Sequence, residues 1–257
     1  MILDYKGTAV FYSDQGNGTP IVLLHGFLES SIMWQRLIPK LIERNRVITI
    51  DLLGHGQTDC LGYIHTMELM ADMVRAVLIH LNIAKSIFIG HSMGGYVALA
   101  FAEKFPELLL GICLANSTAQ ADSPERKLNR NRAIKAVKHN HKAFVSMAVT
   151  NLFACDNQII LSEEISQVKK EALKTQQQGI IAALEGMKIR VDRTDILKNI
   201  TCPKLLIIGR RDTVIPCEIL IKEAKDTKTN FVIFPDGHMS YIENESLFLQ
   251  EIMHFIE

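Results

Sequence analysis

Residues 86–96 read Ser-Ile-Phe-Ile-Gly-His-Ser-Met-Gly-Gly-Tyr, and this stretch decides the fold. A short apolar run, Ile87-Phe88-Ile89, stops at Gly90 and passes through His91-Ser92-Met93-Gly94-Gly95 into Val97-Ala98-Leu99-Ala100, which has helical composition. That succession is strand, sharp turn, helix. The pattern around Ser92 is G-x-S-x-G, in which the flanking glycines remove the Cβ atoms that would collide where strand and helix meet so closely. Ser92 is then forced to the tip in a strained backbone conformation with its hydroxyl exposed. The competing reading is a serine that merely caps a helix after a parallel strand. The position between a buried-strand run and a helix, with a further small residue at Gly95, favours the nucleophile.

Composition narrows the class. The 257 residues fit one domain carrying an insertion, and 48% hydrophobic content suits a globular protein. Lys and Arg number 28 and Asp and Glu 28, so the summed charge attracts neither nucleic acid nor an anionic membrane. Cys60, Cys113, Cys155, Cys202 and Cys217 are odd in number and show no C-x-x-C pair, against both a disulfide framework and a zinc site. The first residues, MILDYKGTAV, do not resemble a signal peptide, and no apolar run approaches the ~20 residues that span a bilayer. The expectation is a cytoplasmic protein whose partner is a small-molecule substrate, with no metal or cofactor and with its oligomeric state open.

Around the central stretch the chain alternates. Ile2 to Lys6 and Thr8 to Ser13 read as short strands, and a turn cluster, Gln15 to Pro20, precedes a buried strand over Ile21 to Leu24. A helix with Trp34, Leu37, Ile38, Leu41 and Ile42 on one face follows. Next come a strand over Val47 to Ile50 and a helix carrying Leu69, Met73, Val77 and Leu81. After the Ser92 turn, Leu108 to Leu114 is another strand. Such alternation calls for a parallel sheet with helices on both faces. From Ala119 to Asn199 the rhythm breaks into helices. One is expected to run continuously through Ile134, Val137, His141, Val145, Ala148 and Leu152, another to start at Ser162-Glu163-Glu164, and Gln176 to Gly179 to be a helix end or loop. Strands resume at Pro203 to Gly209 and Asn230 to Phe234, with a helix near Glu218 to Lys225 and a last one from Glu243.

Catalytic groups in a parallel sheet gather at the carboxyl ends of strands. Asp212 follows the strand ending at Gly209, and His238 follows the one ending at Phe234. A serine hydroxyl needs a neutral imidazole to take its proton, for which His238 is the candidate, and that ring needs a carboxylate on its other nitrogen, for which Asp212 is the candidate. Backbone N–H groups of Met93, just after the nucleophile, and Phe27, just past His25-Gly26, would receive the oxyanion. Asp122 is the reserve acid; Asp192, Asp195 and Asp236 rank behind it. Asp51 is expected to tie its own turn, His25 and His55 to brace loops, and His91 to be an outward-facing spacer. Trp34 is expected to pack in the core. Phe144, Met147, Phe153 and Met187 could line an apolar pocket. The basic run Arg126, Lys127, Arg130, Arg132, Lys135, Lys138 and Lys142 is either a solvated helix face or the source of one arginine for a substrate carboxylate.

With these residues in place the chain resembles the α/β-hydrolases of the small, cofactor-free kind. The likeness runs nearly the whole length, through the HGF loop at His25, DLLGHGQT at Asp51, the GHSMGG nucleophile elbow, GRRDTVIP at Arg210 and GHMSYIENES at His238. It implies an α/β-hydrolase fold, a mostly parallel eight-stranded sheet with helices on both faces, its core over 1–118 and 200–257 and a helical cap over 119–199. It implies a serine carboxylesterase working on small ester or acyl substrates through Ser92, His238 and Asp212. Two alternatives stay open. One is carbon–carbon bond hydrolysis or a lyase step like that of the menaquinone-pathway synthase, on a carboxylated substrate; the other is a small-molecule receptor without turnover. Epoxide hydrolysis and dehalogenation need a carboxylate where Ser92 stands.

Overall fold

The computed structural model describes all residues, 1–257. The chain opens with β1 (Ile2–Tyr5), β2 (Thr8–Gly16) and β3 (Thr19–Leu24), then α1 (Ile38–Leu41), β4 (Asn45–Ile50) and α2 (Met67–His80). The central stretch forms β5 (Ser86–His91) and α3 (Met93–Lys104), followed by β6 (Leu109–Ala115). Six helices come next: α4 (Pro124–His139), α5 (His141–Thr150), α6 (Asn157–Ile160), α7 (Ser162–Ala172), α8 (Gln177–Ile189) and α9 (Thr194–Asn199). The chain closes with β7 (Lys204–Gly209), α10 (Cys217–Thr227), β8 (Asn230–Phe234), α11 (Ser240–Glu243) and α12 (Glu245–Ile256).

Eight strands form one sheet in the order β1-β2-β4-β3-β5-β6-β7-β8. β2 runs antiparallel to β1 and to β4, and every pairing from β4 to β8 is parallel. The expected mostly parallel eight-stranded α/β-hydrolase sheet is therefore present. Side chains alternate across a strand, and here the alternation divides the core into two layers. Val22, Leu24, Phe88, Ile112, Leu114, Leu206 and Ile208 face α2, α3 and α10. Ile21, Leu23, Ile87, Ile89, Cys113, Leu205 and Ile207 face Trp34, Leu41 and the α12 residues Phe248 and Ile252. Burial on both faces explains why these strands read as continuous apolar runs.

The structure differs from expectation where polar or ring-bearing residues interrupt apolar periodicity. The helix expected beneath Trp34 is a 3-10 turn, Ser31–Trp34, then the single turn of α1. Pro39 lacks an amide hydrogen and is tolerated only in a first turn, so a helix must begin anew beside it. The long helix expected from Ile134 to Leu152 breaks at Asn140, whose extended backbone (φ −151°, ψ 89°) lets its side chain cap the Ala143 amide. Gln177-Gln178-Gly179 starts α8 rather than ending a helix. The last helix, expected from Glu243, starts at Glu245, and a separate turn, α11, precedes it. No helix is long and apolar enough to cross a membrane, and all five cysteines are unpaired.

The turn at Ser92 rests on the closeness of α3 to the sheet. A Cβ on Gly90 would lie 2.5 Å from the Gly94 carbonyl oxygen, and one on Gly94 would overlap the Leu24 carbonyl of β3. Both obstacles are backbone, which cannot swing aside as a side chain can. Gly94→Ala should therefore cost about 3 kcal/mol, at the upper end of overpacking penalties. Urea unfolding checks this; a midpoint equal to that of the wild type would show that α3 is free to retreat.

Candidate active site

Ser92 is the one residue between β5 and α3, at φ 48° and ψ −113°. A non-glycine residue there is strained by order 1–3 kcal/mol and has to be held from outside. The Ser92 amide donates to the Ala115 carbonyl at 2.9 Å, and the Ser117 hydroxyl donates to the Ser92 carbonyl at 2.7 Å. Both peptides flanking the strained residue are thus pinned by the end of β6. The half-buried hydroxyl is left to point away from the sheet.

The loops after β7 and β8 meet it. His238 Nε2 lies 2.9 Å from Ser92 Oγ, and His238 Nδ1 lies 2.7 Å from Asp212 Oδ2. Asp212 also accepts from the Val214 and Ile215 amides at 2.7 and 3.0 Å and from Asn116 Nδ2 at 3.1 Å. Burial opposes its charge, yet His238, the Ile215 amide and Asn116 outweigh that and hold the carboxyl below its usual range. The residues proposed from sequence as nucleophile, base and acid are brought together. The reserve acid is not: Asp122 is held by arginines instead. Phe27 borders the pocket above Ser92, and Met93 opens α3, whose free amides and dipole favour negative charge. Neither amide is taken by a loop or side-chain acceptor. No cluster of three or more His, Cys, Asp or Glu side chains offers a metal site.

Three residues that tie the loops together carried no role in the sequence reading. Asn116, at the tip of β6 between the serine and aspartate strands, donates to both Asp212 and the Gly237 carbonyl. Glu243 accepts from the Gly237, Met239 and Ala154 amides, clamping the histidine loop to the inserted helices. Glu29 accepts from the Gly26 amide at 2.6 Å, from His91 Nδ1 at 2.8 Å and from the Tyr241 hydroxyl at 3.0 Å. Their positions at strand and loop ends were the only signal available.

His91 is a correction. It is not an outward spacer but is 1% exposed, with Nδ1 on Glu29 and Nε2 at 2.9 Å from the His238 carbonyl. Both ring nitrogens face oxygens that can only accept, so the ring is an imidazolium. Burial opposes that charge, but Glu29 and the His238 carbonyl raise the His91 pKa, and His91 in turn helps to hold Glu29 below its ordinary value against burial. The pair joins the loop bearing Phe27 to the loop bearing His238.

His25 and His55 brace loops. His25 accepts from the Leu52 amide at Nε2 and donates from Nδ1 to the Gly26 carbonyl, and burial lowers its pKa. Burial pushes His55 down to about 3. Asp51 accepts from the Ser31 and Gln57 amides, tying two loops. Trp34 packs on Phe248 and Tyr241.

The pocket over Ser92 and His238 is small, about 70 Å³, and is walled by Phe27, Tyr96, Ala148, Leu152, Met187 and Val214, with Arg130 among its lining. Of the four apolar residues expected there only Met187 takes part. Met147 is 57% exposed, Phe153 is fully buried in the core, and Phe144 packs against it. A larger cavity of about 400 Å³ lies between α7, the Ser31–Trp34 turn and α12. It touches Leu28 and Glu29 from behind and has neither Ser92 nor His238 in its wall.

The buried pair sets a pH dependence. The raised His91 pKa stabilises the fold fully below its ordinary 6.5, and the gain is lost as pH rises through the folded value. The lowered Glu29 pKa stabilises above its ordinary 4.5, and that gain is lost on acidification. The stability advantage of wild type over His91→Gln should be about 3 kcal/mol near pH 5.5 and shrink by pH 9. Urea unfolding at the two pH values reads this, and an equal gap at both would contradict a charged His91.

Comparison with known proteins identifies the family. The structure is similar to that of a thermophilic esterase from Thermogutta terrifontis solved with malate bound: 33% identity, TM-score 0.91, 97% of this chain and 93% of that one. A non-heme haloperoxidase of Rhodococcus erythropolis is 31% identical over 225 residues, 82% of this chain and 81% of its own. The dihydrolipoyllysine-residue acetyltransferase component of an acetoin cleaving system from Pseudomonas putida is 28% identical over 248 residues. That match takes in 93% of this chain, which spans 64% of the Pseudomonas protein's length. A family model for the alpha/beta hydrolase fold matches residues 19–245, and the chain belongs to that family.

Proposed function

We propose that the protein is a serine hydrolase that cleaves small carboxylic esters through an acyl-enzyme. The observation that carries this reading is the continuous relay from Ser92 Oγ to His238 Nε2 at 2.9 Å and from His238 Nδ1 to Asp212 Oδ2 at 2.7 Å. In the first half-reaction Ser92 Oγ attacks the ester carbonyl carbon as its proton passes to His238 Nε2. Asp212, kept ionised, accepts from Nδ1 and stabilises the imidazolium. The carbonyl oxygen becomes an oxyanion that takes hydrogen bonds from the Phe27 and Met93 amides, each worth about 3 kcal/mol at the transition state. Collapse expels the alcohol, which leaves with the proton from His238. In the second half a water gives its proton to His238 Nε2 and attacks the acyl carbon, releasing the acid and restoring Ser92. Each step uses only side chains, backbone amides and water.

Ester substrates are supported by the likeness to the Thermogutta esterase, which covers nearly the whole of both chains. The small pocket supports short acyl or alcohol groups over long ones.

Ser92→Ala should lower kcat/KM for p-nitrophenyl acetate by about 10⁴-fold or more, because the triad acts as a unit. The unfolding midpoint should change little, since one half-buried hydroxyl and its hydrogen bond to His238 are lost from a strained residue. A fluorophosphonate probe should label wild type and not the variant. Unchanged turnover in Ser92→Ala would overturn the assignment.

A further inference from the structure

The pocket over Ser92 is bordered by an uneven cluster of charge. Asp122, with no side-chain exposure, accepts from three guanidinium groups: Arg126 Nε at 3.2 Å, Arg130 Nε at 3.0 Å and Arg190 Nη1 at 2.6 Å. Asp122 thus pairs directly with three permanent cations, and a second carboxylate, Asp192, is close enough to Arg190 for the two charges to act on each other. Arg126 and Arg130 are four residues apart on α4, so both reach back to the loop in front of that helix. Burial opposes the Asp122 charge, but the surrounding arginines hold its carboxyl below the ordinary range.

The three arginines are spent differently. Arg126 Nη1 donates to the Val214 carbonyl at 2.6 Å, in the loop that follows Asp212. Arg190 donates to the Gln120 and Met187 carbonyls, and its guanidinium lies 4.1 Å from the centre of the Tyr96 ring. Arg130 makes a single hydrogen bond, through Nε, and its side chain is 16% exposed. Its two terminal nitrogens carry four N–H groups without a protein acceptor, in a residue that lines the pocket with Ser92 and His238. The other carboxylate on that pocket, Glu29, is turned to His91, Gly26 and Tyr241. Holding the Arg130 charge largely out of water with most of its donors unpaired is unfavourable unless an acceptor completes the set. The free end of a guanidinium fork matches a carboxylate in two parallel hydrogen bonds.

Resting on the serine-esterase reading, we infer that Arg130 is a substrate-binding residue that receives a carboxylate, making the preferred substrates short esters that carry an acid group. Asp122 holds the guanidinium by Nε and so aims the terminal nitrogens; Arg126 and Arg190 hold Asp122 in turn. The volume sets the length. The pocket, about 70 Å³, is well below the usual size of a small-molecule site, which favours a short span between the scissile carbonyl and the acid group. The acid group can sit on the acyl side, as in monomethyl succinate, or on the alcohol side, as in O-acetylglycolate.

The test compares each of those esters with its neutral methyl-capped counterpart, with p-nitrophenyl acetate as the reference for esterase activity. Wild type should prefer at least one carboxylated ester by tenfold or more in kcat/KM, and the arm that does so identifies the side. In Arg130→Gln that ratio should fall to near one, mainly through KM. Arg130→Lys, which keeps the charge without the fork, should retain part of it. Arg132→Gln, which removes an exposed cation of the same helix that touches neither Asp122 nor the pocket, should keep most of it. Binding of succinate by titration calorimetry, which needs no turnover, should weaken at least tenfold in Arg130→Gln. Equal cleavage of charged and neutral esters by wild type would overturn the inference and leave the esterase reading standing. So would a preference that survives in a folded Arg130→Gln. Loss of p-nitrophenyl acetate cleavage by wild type with succinate binding intact would instead overturn the esterase reading alone.

Discussion

The strained peptide at Ser92 is the constraint from which the site follows. A residue at positive φ between a strand and a helix would relax if either neighbour could move, and here neither can. On one side α3 is pressed so close to β3 and β5 that Gly90 and Gly94 have no room for a side chain. On the other, the end of β6 takes the Ser92 amide and returns the Ser117 hydroxyl to the Ser92 carbonyl. Packing of α3 on the sheet therefore supplies the free energy that keeps the serine hydroxyl out of the core.

The sheet then determines which loops can reach that hydroxyl. β5, β6, β7 and β8 lie side by side and parallel, so their carboxyl ends open on one edge. Neighbouring strands stand about 4.8 Å apart. The tip of β8 is thus about three spacings from the tip of β5, too far for a histidine ring alone. The loop after β8 closes the gap because it is drawn inward from several directions. Asn116 takes the Gly237 carbonyl, Glu243 takes three amides, and the His238 amide donates to the Leu152 carbonyl at the end of α5. The inserted helices are consequently part of what positions the base as well as a wall of the pocket.

The sheet and the meeting of Ser92, His238 and Asp212 were legible in the sequence for one reason: each depends on local signals. Buried parallel strands are continuous apolar runs, the glycines around Ser92 report a close approach, and Asp212 and His238 follow strand ends at short range. What escaped depends on partners far along the chain. His91 sits inside a polar-looking motif, and only Glu29, 62 residues earlier, makes its burial tolerable. Asn116 looks like an ordinary strand-end residue until the neighbouring strands are known to carry the serine and the acid. The helix break at Asn140 escaped because apolar periodicity continues across it, while its capping side chain does not announce itself in hydropathy. Arg126 and Arg130 were visible as basic residues, but the acid that gathers them lies outside the helix.

Two buried ionic groups border the same pocket and differ in balance. Glu29 and His91 are matched one to one, with a tyrosine hydroxyl and a backbone amide completing the carboxylate. Such a pair adds little net field at the serine, and its effect is geometric: it fixes the distance between the loop that offers Phe27 and the loop that offers His238. The Asp122 group is unbalanced, three cations against Asp122 with Asp192 acting on Arg190, and it leaves positive charge beside the pocket. A positive potential beside Ser92 stabilises the developing oxyanion of any substrate, charged or neutral, because the tetrahedral intermediate is anionic in both cases. In the proposed reaction the field therefore aids every ester at the oxyanion and also draws in an anionic one, a coarse preference that charge alone supplies. Sharper discrimination requires donors that remain unpaired with one ligand and are satisfied by another, and at this pocket the donors without a protein acceptor belong to Arg130.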